Sequence, residues 1–317
     1  MKDWHLHYTG SLPRDFILAN LKQKNPNFLR ENNIPHLIDF ERFIDDKFSN
    51  DYKKNKVAFD EIYALFQSVT KPTSDTEILS TYAAGAYEIA KTAVQNSLAE
   101  WIMISGPYTD INRTHDRYLG MIKGFERAEK ELGDGFGKIT ITFIRDNTEK
   151  IKNFSLPLFD DIFAMLQQKP FANRIAGFDI SGYEYPEPKL LQENIEILNQ
   201  IIERKKHFKI NLDIGLHAGE TITGTPVDAL YDDYFRKLAR LDIQRIGHGT
   251  YLWLNHKTEL LKLFAGKCVF DICPTSNRLL TPLGNNLDNM TDELKSLGVE
   301  FTLNRDDPSI FGNWSQP

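Results

Sequence analysis

Residues 209–219 read KINLDIGLHAG, a run of β-branched and aliphatic residues that closes on a histidine and a glycine. Helical stretches flank it: KLLQENIEILNQIIERKKH (189–207) before it and ALYDDYFRKLARLD (229–242) after it. Each has apolar residues three and four apart, with charges on the opposite face. The same alternation runs along the chain. Strand-like runs stand at 3–9 (DWHLHYT), 101–107 (WIMISGP), 138–146 (KITITFIRD), 175–182 (IAGFDISG), 245–249 (RIGHG), 267–274 (KCVFDICP) and 299–308 (VEFTLNRDDP). Helical patterns such as YLGMIKGFERAEKEL (118–132) and HKTELLKLFAG (256–266) separate them. Eight strands alternating with helices predict an α/β chain of the (β/α)8 TIM-barrel type. The rival, an open doubly wound sheet, would favour a glycine-rich dinucleotide fingerprint after an early strand, and none is present.

Between residues 10 and 100 the pattern is helical, in DFILANLKQ, DFERFIDDKF, AFDEIYALFQSV and EILSTYAAGAYEIAKTAVQNSLAEW. This predicts a helical insertion over about 14–98, after the first strand, covering one side of the barrel mouth. No Pro/Gly/Ser-rich linker isolates it, so residues 1–317 read as one barrel domain. Only SIFGNWSQP follows the last strand, so the final covering helix is expected to be atypical or missing.

The net charge of −6 argues against binding a nucleic-acid polymer, though not against a nucleobase as substrate. Two cysteines, Cys268 and Cys273, offer no disulfide framework and suit a reducing cytoplasm. The opening MKDWHLH has no apolar signal region, and no run is long enough to cross a bilayer, so no membrane partner is expected. Nothing in the sequence defines an oligomeric state.

In a barrel of this kind the C-terminal strand ends line the active site, and the unusual polar residues fall there. His5 and His7, two apart on a strand, share one face and suit a borderline-soft divalent cation. Asp179 and Gly182 close the fourth strand, His217 ends the fifth with Glu220 three residues on, His248 ends the sixth, and Asp306 and Asp307 follow the eighth. His5, His7, His217 and Asp306 can supply one mononuclear metal site, with Glu220, His248 and Asp307 around it. Taken singly, HAGE could be a helix N-terminal turn, DDP a capped turn, His248 a loop residue and CPTSN plain turn chemistry. Separate turns do not explain why these groups share one rim.

In order along the chain, HLHYTGSLP, FDISGYE, HAGE, RIGHGT, CPTSN and NRDDPSIF resemble the adenosine deaminase family of the amidohydrolase superfamily. The resemblance covers nearly the whole sequence. It implies one Zn²⁺ per chain on His5, His7, His217 and Asp306, since no lysine stands at the end of the fourth strand to bridge a second metal. It further implies that Glu220 gives a proton to purine N1, that His248 orients the attacking water, and that Asp306 shares in moving the water proton. Asp307 would meet N7 and the Gly182 amide N3. The implied reaction is hydrolytic deamination of a 6-aminopurine, adenosine or a derivative, to the 6-oxopurine and ammonia. Two alternatives stay open: deamination of another aminated heterocycle or a purine nucleotide, and a catalytically silent purine-binding homologue.

The chain departs from the family where the sugar is read. Thr9 stands where adenosine-type members carry an aspartate, Tyr183 replaces the aspartate of GDE, and Ile102–Met103–Ile104 replaces E-x-R. Arg305 replaces a residue that is usually small. Fewer acidic groups and an added arginine suit an anionic substituent such as phosphate, with Thr9 and Arg305 as substrate contacts. The other reading of Arg305 turns it away to pair with a surface carboxylate.

Overall fold

The computed structural model describes residues 1–133, 136–145, 156–184, 187–220, 228–283 and 286–317. Eight strands form one parallel sheet in sequence order: β1 (Lys2–His7), β2 (Glu100–Ser105), β3 (Phe136–Ile144), β4 (Ile175–Ser181), β5 (Asp213–Ala218), β6 (Arg245–His248), β7 (Val269–Ile272) and β8 (Glu300–Leu303). The ladder comes back on itself just past β8, where Leu6 and Asp306 form a parallel bridge. Asp306 N–H donates to the His5 carbonyl and His7 N–H to the Asp306 carbonyl, each at 3.0 Å. The result is a nearly closed (β/α)8 barrel. Its strands are short and apolar because both faces are covered, the inner by side chains and the outer by helices. In β2, for instance, every residue from Trp101 to Ser105 is buried.

Helices Arg14–Lys24, Pro26–Glu31, Leu37–Asp45, Tyr52–Thr70 and Ile78–Gln95 fill the interval between β1 and β2. Helix Tyr52–Thr70 starts where the Asp51 carboxylate accepts from the Lys53 and Lys54 amides. The side chain of its buried Asn55 donates to the Leu279 carbonyl at 2.9 Å, tying this helix to the segment after β7. That segment, Pro274–Leu280, is a helix with proline in its first turn. The expectation of plain turn chemistry at CPTSN is corrected here.

Several strand limits move as well. β1 ends at His7, where a turn begins, β5 begins at Asp213 and β8 ends at Leu303. β3 starts at Phe136, and position 146 of the expected third strand lies outside the described residues. A single helical turn, Pro308–Phe311, follows β8. Among the described residues, no helix is long and apolar enough to cross a membrane.

Candidate active site

All the polar residues singled out at strand ends lie on the C-terminal rim of the barrel. β1 turns the His5 and His7 rings to one side, and β5 brings His217 to meet them. His7 Nε2 lies 3.0 Å from His217 Nε2 and 3.2 Å from Asp306 Oδ1, and His5 Nε2 lies 3.7 Å from the same oxygen. Donors about 2.0–2.1 Å from a tetrahedral ion stand about 3.3 Å from one another, so these separations match the edges of one coordination shell. His5 Nε2 is buried and has no hydrogen-bond partner. Two ring nitrogens and a carboxylate oxygen this close need a cation or a proton among them. The His5, His7 and His217 donors form one group close enough to share a borderline divalent cation, and Asp306 Oδ1 approaches it from the side of His5 and His7.

The rings are backed by carboxylates on neighbouring strands. Asp179 Oδ2, on β4, is 3.0 Å from His217 Nδ1, though off the line of a good hydrogen bond, and accepts from Thr142 Oγ1 at 3.0 Å. Asp271 Oδ2, on β7, is 3.6 Å from His5 Nδ1 and accepts from Arg245 Nε at 3.0 Å. Such pairs set the tautomer that leaves Nε2 free for a metal. Burial pushes the Asp179 carboxyl up, but the facing His217, His5 and His7 outweigh it and keep the group ionised. Burial also brings the His217 imidazole down to about 4, the neutral form a metal needs.

His248 is fully buried and held by the helix after β7. The Asn277 side-chain oxygen accepts from the Cys273 amide at 3.1 Å, which turns its NH₂ toward His248 Nδ1 at 2.9 Å. His248 Nδ1 is thus an acceptor, and the ring hydrogen sits on Nε2. That nitrogen faces Glu220 Oε1 at 3.5 Å. Burial lowers His248 to about 3, so the ring is neutral. His248 and Asp306 both take left-handed backbone conformations, with φ of 62° and 65°. For residues with a Cβ this costs on the order of 1–3 kcal/mol each, strain of a kind that collects at functional sites.

Two acids beside the donor cluster are shifted toward protonation. Burial raises the Glu220 carboxyl above its ordinary value, and burial together with Asp306 raises Asp307 well above its own. Asp307 Oδ1 is buried without a partner. It lies against Gly10, where a Cβ would stand 1.7 Å from that oxygen, so only glycine leaves the carboxyl room. Gly182, with φ of 93°, ends β4 facing the same mouth. Buried Arg145 donates from Nε to the Gly182 carbonyl at 2.9 Å and from Nη1 to the His217 carbonyl at 2.5 Å, locking the two strand ends together. Glu184 Oε2 accepts from the Gly219 amide at 2.6 Å, and burial pushes this carboxyl up to about 7.

Thr9 is buried at the rim. Arg305 is not brought to the mouth, which corrects the expectation of a phosphate contact. Its Nη1 donates to Asp3 Oδ2 at 3.0 Å and its Nε to the Trp314 carbonyl at 2.8 Å, with both members of the ion pair fully buried. The pair joins β1 to the segment after β8, where the ladder closes.

The sequence reading missed the supporting groups Asp271, Asn277, Arg145 and Glu184, and gave Asp179 no role. A signal existed for two of them. FDIS (178–181) and FDIC (270–273) each put one aspartate inside an apolar strand, a placement that demands a buried partner. Cys273 was also passed over as a donor. Its sulfur belongs to a second close group with His5, His248 and Asp306, although burial raises the thiol well above its ordinary value.

The architecture has relatives among solved structures. A zinc-bound amidohydrolase from Burkhoderia ambifaria superposes with a TM-score of 0.66 at 17% identity, over 99% of this chain and 76% of that one. Arabidopsis ADAL complexed with IMP gives 0.64 at 16% identity, over 99% and 82%. By sequence, the chain is 27% identical over 332 residues to an adenine deaminase of Schizosaccharomyces pombe, covering 98% of this chain and 77% of the relative. The family model for adenosine deaminase matches residues 2–314. On that match, in a barrel whose strand-end residues stand as described, the chain belongs to the adenosine deaminase family and is a hydrolytic deaminase.

Proposed function

We propose that the chain is a zinc-dependent deaminase that converts a 6-aminopurine to the 6-oxopurine and ammonia. The observation that carries this reading is the meeting of His5, His7, His217 and Asp306 donor atoms beside two carboxyls shifted toward protonation, Glu220 and Asp307. Zinc, when bound there, supplies the Lewis acidity that makes water a nucleophile near neutral pH. Glu220 holds a proton and gives it to purine N1 as charge builds there during attack at C6. His248, fixed by Asn277, directs Nε2–H toward the attacking water and Glu220. Asp306 takes part in moving the water proton toward the departing amine. Asp307, kept protonated by burial, donates to N7, and the Gly182 amide donates to N3. The C6–O bond forms, the C6–N bond breaks, and ammonia leaves.

Supporting this reading are the family match over residues 2–314 and the adenine deaminases among the relatives. The two cysteines are free and buried, which suits the cytoplasm as the place of action. The test is a screen of zinc-loaded protein against adenine, adenosine, AMP and N6-methylated forms, followed by ultraviolet change and ammonia release. Turnover of at least one is expected. His217→Ala should lose both zinc and turnover. A folded, zinc-loaded protein inert toward every aminopurine would overturn the assignment.

A further inference from the structure

The threonine that closes RIGHGT has no part in the proposed chemistry, yet it is bonded between two groups that have one. Glu220 follows β5 and His248 ends β6, with Glu220 Oε1 3.5 Å from His248 Nε2. One residue before Glu220 stands Gly219, in a left-handed conformation with φ of 70°. A Cβ there would lie 2.8 Å from the Tyr251 Cβ, so the position admits only glycine. Glycine also has the widest backbone freedom of any residue. Left unrestrained, rotation at Gly219 would swing the Glu220 carboxyl away from His248.

Four hydrogen bonds supply the restraint, shared between the two peptide planes that meet at Gly219. In the first plane the Ala218 carbonyl accepts from the Gly249 amide at 3.0 Å, and the Gly219 amide donates to Glu184 Oε2 at 2.6 Å. In the second the Gly219 carbonyl accepts from the Tyr251 amide at 2.8 Å and from Thr250 Oγ1 at 2.5 Å. That carbonyl and the Glu220 amide belong to one planar unit, so the direction of the carbonyl sets the direction in which Glu220 departs. A carbonyl oxygen has two lone pairs. One donor leaves the plane free to tilt about a single bond, and a second donor removes that freedom. Thr250 supplies the second, and it is fully buried at the start of helix Thr250–Leu254. Three of the four bonds come from residues 249–251, directly after His248. The turn that carries Glu220 is therefore latched to the turn that follows His248.

We propose that Thr250 is a positioning residue for proton transfer: its hydroxyl fixes the Gly219–Glu220 peptide so that the Glu220 carboxyl and the His248 ring keep one mutual orientation. The proposal rests on the deaminase reading and adds to it a side chain outside the groups assigned to purine and metal. Thr250→Val removes the hydroxyl and nearly keeps the shape. The Gly219 carbonyl retains its bond from Tyr251, so no acceptor is stranded and the fold should be little affected. What is lost is the aim of Glu220, and misplacing a reacting group by a fraction of a bond length to one bond length is enough to slow catalysis.

The experiment uses the zinc-loaded full chain and the aminopurine it turns over fastest. Thr250→Val should lower kcat about 10- to 100-fold, with KM within about twofold, unchanged zinc content and a nearly unchanged denaturation midpoint. Thr250→Ser, which restores the hydroxyl, should recover most of the loss. In the Glu220→Gln background the same Thr250→Val change should cost less than about twofold, because the two residues act as one unit. A second readout needs no turnover: the His248 Nε2 resonance in ¹⁵N-histidine-labelled protein, identified by its loss in His248→Asn. Glu220→Gln should move that resonance in the wild-type chain and much less in Thr250→Val. If Thr250→Val does not fold, Thr250→Ala takes its place in each measurement. Wild-type kcat in Thr250→Val, no recovery in Thr250→Ser, or an equal loss with and without the Glu220 carboxyl would each overturn the proposal. A wild-type chain inert toward every aminopurine would overturn the reaction assignment instead, and the His248 resonance would still decide whether Thr250 couples the two turns.

Discussion

The four proposed metal ligands on the floor of the mouth and the outer rim beside β1 and β2, where Arg117 packs on the rings of Tyr82 and Tyr108, both occupy strand ends, yet they are held by different means. On the floor, four of the polar groups have a dedicated neighbour: Asp179 behind His217, Asp271 behind His5, Asn277 behind His248, and Gly10 beneath Asp307. Asp179 and Asp271 come from strands, Asn277 from the helix after β7 and Gly10 from the turn after β1, and all four are buried. At the rim, Tyr63 and Lys56 arrive on an inserted helix, and Arg117 rests on ring faces with a single hydrogen bond to a side chain. The floor is built for one geometry, whereas the rim rests on ring faces and an inserted helix. Floor changes should therefore injure every substrate alike.

The largest effect on that comparison is expected at Glu220. Glu220→Gln should retain metal and lose about 10²- to 10⁴-fold in kcat on every aminopurine, the range for removal of a general acid. Steady-state kinetics with metal analysis checks this, and a substrate-selective loss would take Glu220 off the floor. Arg305→Met comes next, through stability. It leaves Asp3 buried without its partner where the ladder closes, and should cost about 3–5 kcal/mol in denaturant unfolding. Unchanged stability would mean that the pair does not brace β1 against the segment carrying Asp306. Asn277→Ala should lower kcat about 10- to 100-fold on all substrates alike, as loss of an orienting partner does, with the metal retained.

The smallest effect concerns pH. The folded-state carboxyl of Glu184 titrates near 7, above its ordinary value of 4.5. Between those values the folded chain binds more protons than the unfolded one, so this group makes stability fall as pH rises through that window. Glu184→Gln should flatten the slope of unfolding free energy between about pH 4.5 and 7, measured by denaturant melts at several pH values. An unchanged slope would show that Glu184 is not held neutral.

The same contrast explains what could be read from the sequence. The barrel was legible because its strands are short apolar runs at regular intervals and its polar residues recur at their ends. The convergence of His5 with Asp306 was legible because ordered motifs fix which strand carries each group. Arg305 was misplaced because a sequence does not say which way a side chain turns, and here Asp3, 302 residues away in sequence, sets the direction. Asn277 was hidden for a related reason. Its role depends on a helix starting at Pro274, and that start looks like a turn when read locally. The rim was the least legible part, since Tyr63, Lys56 and Arg117 belong to helices whose seating on the barrel is decided by tertiary packing.

The most direct test of the central claim is metal stoichiometry joined to ligand identity, using cobalt-substituted and zinc-loaded protein with X-ray absorption and visible spectroscopy. The account predicts one ion per chain in a nitrogen- and oxygen-rich shell, with no sulfur ligand. It also predicts loss of the signal in His5→Ala, His7→Ala, His217→Ala and Asp306→Ala, each still folded by circular dichroism. Two ions per chain, a shell containing Cys273 sulfur, or an undiminished signal after loss of one of these four side chains would contradict it.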